Sequence, residues 1–435
     1  MVTKINYDDY RAVTDYLFSR LPVFQRSGPA SYKIDLETSL RLDDYFGNPH
    51  RHYPTIHVAD TNGKGSVSHI LASVLQEAGY RTGLYTSPHL KDFRERIRID
   101  GQPVPEEYVK SFIKEHDHLF DKLEPSFFEI TVAMAFRYFA DEKADVAVIE
   151  TGLGGRLDST NIITPLCSVI TNIGMDHMRF LGNDLQSIAR EKAGIIKPGI
   201  PVVIGRYQED TAPLFRQTAA HNHSEIHFAG KDLNIDYSMY TPGGQQIFNV
   251  KRGGEIFLSS LLTDLLGNYQ KENTLTALRT LEIIRKDLPV EEEHIRKGFL
   301  NVSGNTGITG RWQVLRQHPF TVCDTGHNSD AFAQLRLQIK NTPYRELFMI
   351  LGFVNDKDPS AILQLLPRDA HYLFTKAAIP RAMEPEEVRR AAMRYGLEGQ
   401  SFPSVAEAFT EASARAGKND MIFIGGSTFV VAEVI

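Results

Sequence analysis

Lys64 and Ser66 stand in the run Asp60-Thr61-Asn62-Gly63-Lys64-Gly65-Ser66, where glycines flank a lysine and a hydroxyl follows. Such a run suits phosphate chemistry. Main-chain N–H groups of the turn and of a helix N-terminus surround an anion, the ammonium offsets its charge, and the hydroxyl reaches phosphate or Mg²⁺. A glycine-rich turn with a solvated lysine is the plain alternative. The flanks favour the first reading: Thr55-Ile56-His57-Val58 is β-branched, and Val67, Ile70, Leu71, Val74, Leu75 and Ala78 recur at helical spacing.

Further chemistry-bearing residues follow later strand candidates. Glu150 ends the apolar run Ala147-Val148-Ile149 at the carboxyl end, where open α/β sheets bind ligands, and its carboxylate suits magnesium. His177 follows the next strand; a lone loop histidine is more often structural. Lys192 lies in a helical stretch, where a surface lysine paired with Glu191 is the plain reading. Ser126-Phe127-Phe128-Glu129 opens a helix whose aromatics either stack on a flat ligand or fill the core. Leu157-Asp158-Ser159 lies just after a glycine-rich turn. Cys167 and Cys323 lack zinc-site neighbours and read as buried, reduced thiols.

The elements that must position these groups read as α/β. Strand candidates at 145–149, 167–173 and 201–205 are separated by helical periodicity at 128–139 and 187–193, which predicts an N-terminal domain with a largely parallel sheet. A helical stretch at 268–285 precedes the glycine-rich segment 298–310, which suits an interdomain connection. The expected division is 1–300 and 301–435. Beyond it, strands at 321–323, 347–351, 372–375 and 421–424 alternate with helices, one opening with the capping box Ser404-Val405-Ala406-Glu407. A smaller, doubly wound, Rossmann-like domain follows from that alternation.

Over 435 residues the formal charge is -6, which gives no basic footprint for nucleic acid. No apolar run approaches a membrane span and the first residues lack a secretion signal, so a cytoplasmic protein is expected.

The phosphate loop resembles that of the Mur ligase superfamily, which usually reads Gly-Thr-Asn-Gly-Lys; Asp60 stands where a glycine is expected and brings a carboxylate toward the triphosphate. The likeness narrows to the folylpolyglutamate synthase/dihydrofolate synthase branch over Tyr85-Thr86-Ser87-Pro88-His89-Leu90, Glu95-Arg96-Ile97 and the segment from Glu150 to Asn161. It continues through Asp176-His177, the segment from Ile188 to Gly199, Gln270-Lys271-Glu272-Asn273, Gly310-Arg311, Asp324-Thr325-Gly326-His327-Asn328 and Asp356-Lys357-Asp358. The family more often has Asp-Gly-Ala-His-Asn where Thr325 and Gly326 stand.

The resemblance implies an ATP-dependent enzyme that joins L-glutamate to dihydropteroate or a reduced folate through an acyl phosphate. It implies that Thr61, Asn62, Gly63, Lys64, Gly65, Ser66, Asn273, Arg311 and Asp324 bind ATP, with closure between domains excluding water. Ser87, Glu150 and His177 would hold Mg²⁺, and Lys192 would be carbamylated, turning a cation into an anion. Ser126, Phe127, Phe128, Glu129, Leu157, Asp158 and Ser159 would take the pterin, and His327 would position glutamate or phosphate. The expected catalytic residues are Lys64, Lys192, His177 and His327, in a monomer. Two alternatives stand beside this: another Mur-type amide ligase, and a nucleotide-binding regulatory protein with a phosphate loop impaired at Asp60.

Overall fold

The computed structural model describes residues 5–21, 35–241 and 243–435, and divides the chain into two compact units. One comprises 1–264 with 271–307; the other comprises 265–270 with 308–435.

The first unit is built on an eight-stranded sheet. Its strands are β1 (Thr55–Ala59), β2 (Thr82–Tyr85), β3 (Ile97–Ile99), β4 (Gln102–Pro103), β5 (Val146–Glu150), β6 (Cys167–Ile170), β7 (Val202–Ile204) and β8 (Ile226–Phe228), ordered β4-β3-β2-β5-β1-β6-β7-β8. The six strands from β2 to β8 in that order pair in parallel, whereas β3 and β4 are added antiparallel at one edge. Strands β1, β2, β5 and β6 are buried along their whole length, which explains their continuous rather than alternating apolar character. One apolar cluster, with Tyr85, Phe93, Phe127 and Phe136, includes the Phe127–Asp141 helix; another, with Ile170, Ile188 and Phe215, includes the Leu185–Ala193 helix.

A three-stranded antiparallel sheet, β9 (Leu233–Tyr240), β10 (Gln246–Arg252) and β11 (Glu255–Thr263), also belongs to this unit and was not foreseen. Its alternation is weak because the outward positions include the half-exposed Tyr237, Met239 and Ile256. The 298–310 segment also differs from the expected irregular link. It carries the end of the Glu292–Leu300 helix and the Val302–Thr306 helix, with Gly298 buried inside the former.

The second unit has six strands, β12 (Gln313–Gln317), β13 (Phe320–Cys323), β14 (Leu347–Leu351), β15 (His371–Phe374), β16 (Gly399–Ser401) and β17 (Met421–Gly425), ordered β12-β13-β17-β14-β15-β16. All pairs are parallel except the edge pair β12–β13. Helices Ser329–Lys340 and Val405–Arg415 contribute to two distinct apolar clusters in which side chains of this sheet are also buried. Ser404 caps the latter helix by accepting from the Glu407 N–H, as the sequence predicts. The α/β class with a parallel N-terminal sheet and a second doubly wound sheet is as expected.

Candidate functional site

Register fixes which groups meet at the carboxyl ends of the large sheet. Val58 of β1 lies opposite Glu150 of β5, Tyr85 of β2 opposite Ile149, and Ala59 opposite Ile170 of β6. The loops after β1, β2, β5 and β6 therefore leave from one edge, bringing 60–66, Ser87, Glu150 and 171–177 together.

The phosphate loop is braced by the loop after β6. The Thr61 N–H donates to the Asn172 carbonyl at 3.2 Å, the Asn62 N–H to Asn172 Oδ1 at 3.0 Å, and the Gly174 N–H to Thr61 Oγ1 at 3.0 Å. Thr171 Oγ1 donates to the Asn62 carbonyl at 2.8 Å and also contacts the Asp60 carboxylate. Gly63 has φ +107°, and a Cβ there would come 2.5 Å from Asn273 Oδ1. Only glycine fits both the left-handed backbone and that close approach. The helix Lys64–Glu77 starts at the next residue, and its first turn has no acidic residue, so its partial positive end faces the loop.

Asp60 is buried, and its Oδ1 lies 3.5 Å from Lys64 Nζ. The carboxylate expected to oppose a triphosphate is thus turned onto Thr171 and the loop's own lysine. Burial disfavours the Lys64 ammonium, but Asp60, Glu150 and Asp176 together outweigh it and hold its pKa above the ordinary lysine value.

Lys192 is 3% exposed, which sets aside the surface-lysine reading. Its Nζ donates to the Asp60 main-chain carbonyl, and Glu191 pairs instead with Arg156 at 2.9 Å. Burial, then the Lys64 charge, push the Lys192 pKa down to about 7 despite the carboxylates of Asp60, Asp176 and Asp158. An amine neutral near neutral pH is the form that reacts with carbon dioxide.

Glu150 is buried at the end of β5, and the Ser87 N–H donates to its Oε2 at 3.3 Å. His177 has φ +52°; its N–H donates to Asp176 Oδ1 at 2.8 Å and its ring lies 3.9 Å from Asp176 Oδ2. Among the described residues no three His, Cys, Asp or Glu side chains gather as a metal cage. One buried carboxylate beside a phosphate loop nevertheless fits magnesium, which takes one or two carboxylates, substrate phosphates and water.

Ser126 and Glu129 form a reciprocal capping box: the Ser126 N–H donates to Glu129 Oε2 at 2.7 Å and the Glu129 N–H to Ser126 Oγ at 3.2 Å. Phe127 is a core side chain stacked on Phe18 at 4.7 Å, whereas Phe128 is only partly buried and lies across Gly152. Asp158 accepts from the N–H groups of Gly152 at 2.8 Å, Leu153 at 2.9 Å and Thr160 at 3.0 Å, so it ties down the turn that follows Glu150. Leu157 is part-buried and Ser159 buried at the start of the Ser159–Ile162 turn.

In the second unit, Asp324 follows β13 and is buried. It accepts from Tyr269 Oη at 2.6 Å and from the N–H groups of Trp312 and Gly326, each at 2.8 Å. Burial raises its pKa, against those hydrogen bonds and the Arg311 charge. Arg311 donates to Thr325 Oγ1, and the His327 ring contacts the Thr325 carbonyl at 3.0 Å.

Residues 58–281 match the Mur ligase middle domain, and 310–428 the Mur ligase glutamate ligase domain. The Bacillus subtilis dihydrofolate synthase/folylpolyglutamate synthase is 32% identical over 89% of this chain and 91% of its own length. The chain belongs to the dihydrofolate synthase/folylpolyglutamate synthase family of Mur ligases.

A Haloferax volcanii protein named as a probable bifunctional folylpolyglutamate synthase/dihydropteroate synthase is 32% identical over 98% of the chain, which spans 50% of that longer relative. Among solved structures, the Mycobacterium tuberculosis folylpolyglutamate synthase complexed with ADP superposes with TM-score 0.85 at 29% identity, covering 98% of each chain. The Escherichia coli enzyme in complex with DHPP and ADP gives 0.84 at 28%, covering 97% of this chain and 96% of that one. As a Mur ligase family member, the chain is an ATP-dependent ligase.

Within this family frame, the first unit gathers Thr61 to Ser66, Ser87, Glu150, His177, Lys192 and Asn273 around one strand edge, and the second brings Arg311, just before β12, to Thr325 beside Asp324 and His327, just after β13. Sequence reasoning missed Thr171 and Asn172 as braces of the phosphate loop. Their signal was a Thr-Asn pair just past an apolar strand, a place where short polar side chains bond neighbouring main chain.

Proposed function

We propose that the chain transfers the γ-phosphoryl of ATP to the carboxylate of dihydropteroate, or to the γ-carboxylate of a folylpolyglutamate, and then joins L-glutamate to the activated carbonyl. The supporting observation is the placement of buried Glu150 opposite Val58, two residues before the phosphate loop, with Lys64 and Lys192 both held on Asp60. The two ligase-domain matches, over 58–281 and 310–428, support reading 1–300 as the ATP-binding part and 301–435 as the glutamate-ligase part.

A carboxylate resists amines because its charge repels them and it lacks a leaving group. In the first step an acceptor oxygen attacks the γ-phosphorus and the bond to the β-phosphate oxygen breaks, releasing ADP. In the second, the glutamate amine attacks the acyl carbon, loses a proton, and phosphate departs. Lys64 shifts from Asp60 toward the phosphates, and the loop N–H groups hold the β-phosphate. Glu150, with Ser87 and His177, would hold magnesium, which offsets phosphate charge when bound. A carbamylated Lys192 supplies an anion at the loop, and Phe128 with the Leu157-Asp158-Ser159 turn carries the pterin. Asn273, Arg311 and Asp324 bind the nucleotide, and His327 orients glutamate or phosphate. The protein works as a cytoplasmic monomer on small molecules, without nucleic acid or membrane.

The deciding assay is phosphate release from ATP with dihydropteroate plus glutamate, and with tetrahydrofolate plus glutamate, each component omitted in turn. Release requiring all three components is expected. Turnover independent of any pterin would overturn the reading.

A further inference from the structure

Arg96 closes the short Phe93–Arg96 turn and is 4% exposed. Its Nε donates to His89 Nδ1 at 2.7 Å, and its guanidinium carbon lies 5.3 Å from the centre of the Phe127 ring. Neighbouring Arg94 is paired with Asp92 at 2.8 Å and Glu106 at 3.3 Å; Arg96 forms no ion pair with any described residue. The His89 ring accepts that hydrogen bond and carries no negative charge, so it brings no counter-ion to Arg96.

Beside this cation lies a second incomplete group. Tyr85 is fully buried, and its hydroxyl lies against the Arg96 side chain without a well-formed hydrogen bond to any described residue. Burial disfavours the Arg96 charge; the Tyr85 hydroxyl beside it and the carboxylates of Glu150 and Glu95 work against that without overcoming it. A buried guanidinium without an ion pair, set against a buried hydroxyl whose own proton has no acceptor, is costly unless an anion arrives.

We propose that Arg96 and Tyr85 form the subsite that receives the reactive carboxylate of the acceptor, an inference that rests on the pteroate-ligation reading. The surroundings fit an aromatic carboxylate. Tyr85 lies 6.1 Å from the part-buried Phe128, and it is two residues from Ser87 and opposite the residue preceding Glu150. The anion is thus held at the strand edge that also carries the phosphate loop, with its charge balanced but its oxygens free to attack phosphorus. Glu150 as the sole partner of Arg96 is the competing arrangement; its carboxylate is engaged by the Ser87 N–H.

The test measures binding of dihydropteroate, of its carboxamide analogue and of ATP to the wild type, Arg96→Gln, Arg96→Lys and Tyr85→Phe, with thermal melting of each. The wild type should prefer carboxylate to carboxamide by about tenfold or more, because donors built for an anion are left unfilled by the amide. Arg96→Gln should abolish that preference while ATP affinity stays within about twofold, and Tyr85→Phe should reduce it about threefold. Should Arg96→Gln not fold, Arg96→Lys and Tyr85→Phe carry the comparison. An unchanged preference in folded variants overturns the subsite alone, as does an equal loss of ATP and acceptor affinity, which would mean that Arg96 only balances Glu150. A wild type that neither binds nor converts dihydropteroate overturns the ligation reading together with the subsite.

Discussion

Lys64 Nζ lies 3.5 Å from the Asp60 carboxylate, so the phosphate loop carries its own counter-ion. ATP must displace that partner. Asp60→Asn keeps a group able to bond Thr171 while removing the competing charge, and should tighten ATP binding by a few-fold. Lys64→Ala should abolish most ligation in a protein with unchanged circular dichroism. Calorimetric ATP titration and steady-state phosphate release check both; a large loss of ATP affinity in Asp60→Asn would show that the carboxylate has an adapted role.

Lys192 gives a prediction in two parts. If it is carbamylated, Lys192→Ala should be severely impaired in amide formation and Lys192→Arg should fail as well, since arginine fixes a positive charge. Intact mass in bicarbonate, together with crystallography, should reveal the added carboxyl group. In carbon dioxide-free buffer the unmodified amine has a folded pKa of about 7, below the ordinary 10.5. The unfolded chain then binds more protons between those values, so this group's contribution to stability rises from about pH 7 toward 10.5 and is least favourable below 7. Urea unfolding of the wild type should accordingly gain on Lys192→Met as pH rises from 7 to 9.

Gly152 allows the Phe128 ring to lie across the turn after Glu150: a Cβ there would come 2.4 Å from the ring. Gly152→Ala should displace Phe128, raise the acceptor KM by about tenfold and cost about 1–3 kcal/mol of stability. An unchanged acceptor KM in a folded variant would remove Phe128 from the pterin site.

Asp324 satisfies the N–H groups of Trp312 and Gly326 as well as the Tyr269 hydroxyl. Asp324→Ala leaves these donors bare and should cost about 2–4 kcal/mol by urea unfolding, whereas Asp324→Asn should recover much of that stability but not ATP affinity. Equal ATP affinity in Asp324→Asn and the wild type would confine Asp324 to packing.

The sequence by itself determined the strand–loop–helix setting of Lys64, the parallel sheet around it and the family, because these rest on local patterns: β-branched runs, helical spacing and ordered motifs. The helix start at Ser126 and the cap at Ser404 were legible for the same reason, since a helix start is decided within about four residues. What required the tertiary structure was pairing across strands. That Asp60 turns onto Thr171 and Lys64 depends on β6 lying beside β1, and nothing in the order of residues states that neighbourhood. The burial of Lys192, which separates a tunable amine from an ordinary surface lysine, likewise arises only when its helix is laid against the phosphate loop. The β9–β11 sheet escaped notice because its half-exposed strands mix apolar and polar residues on both faces, so their pairing, not their pattern, defines them. Arg96 looked like one arginine among three nearby, and became distinct only where the fold paired Arg94 with carboxylates and left Arg96 buried against a neutral histidine, a difference of environment that residue type does not encode.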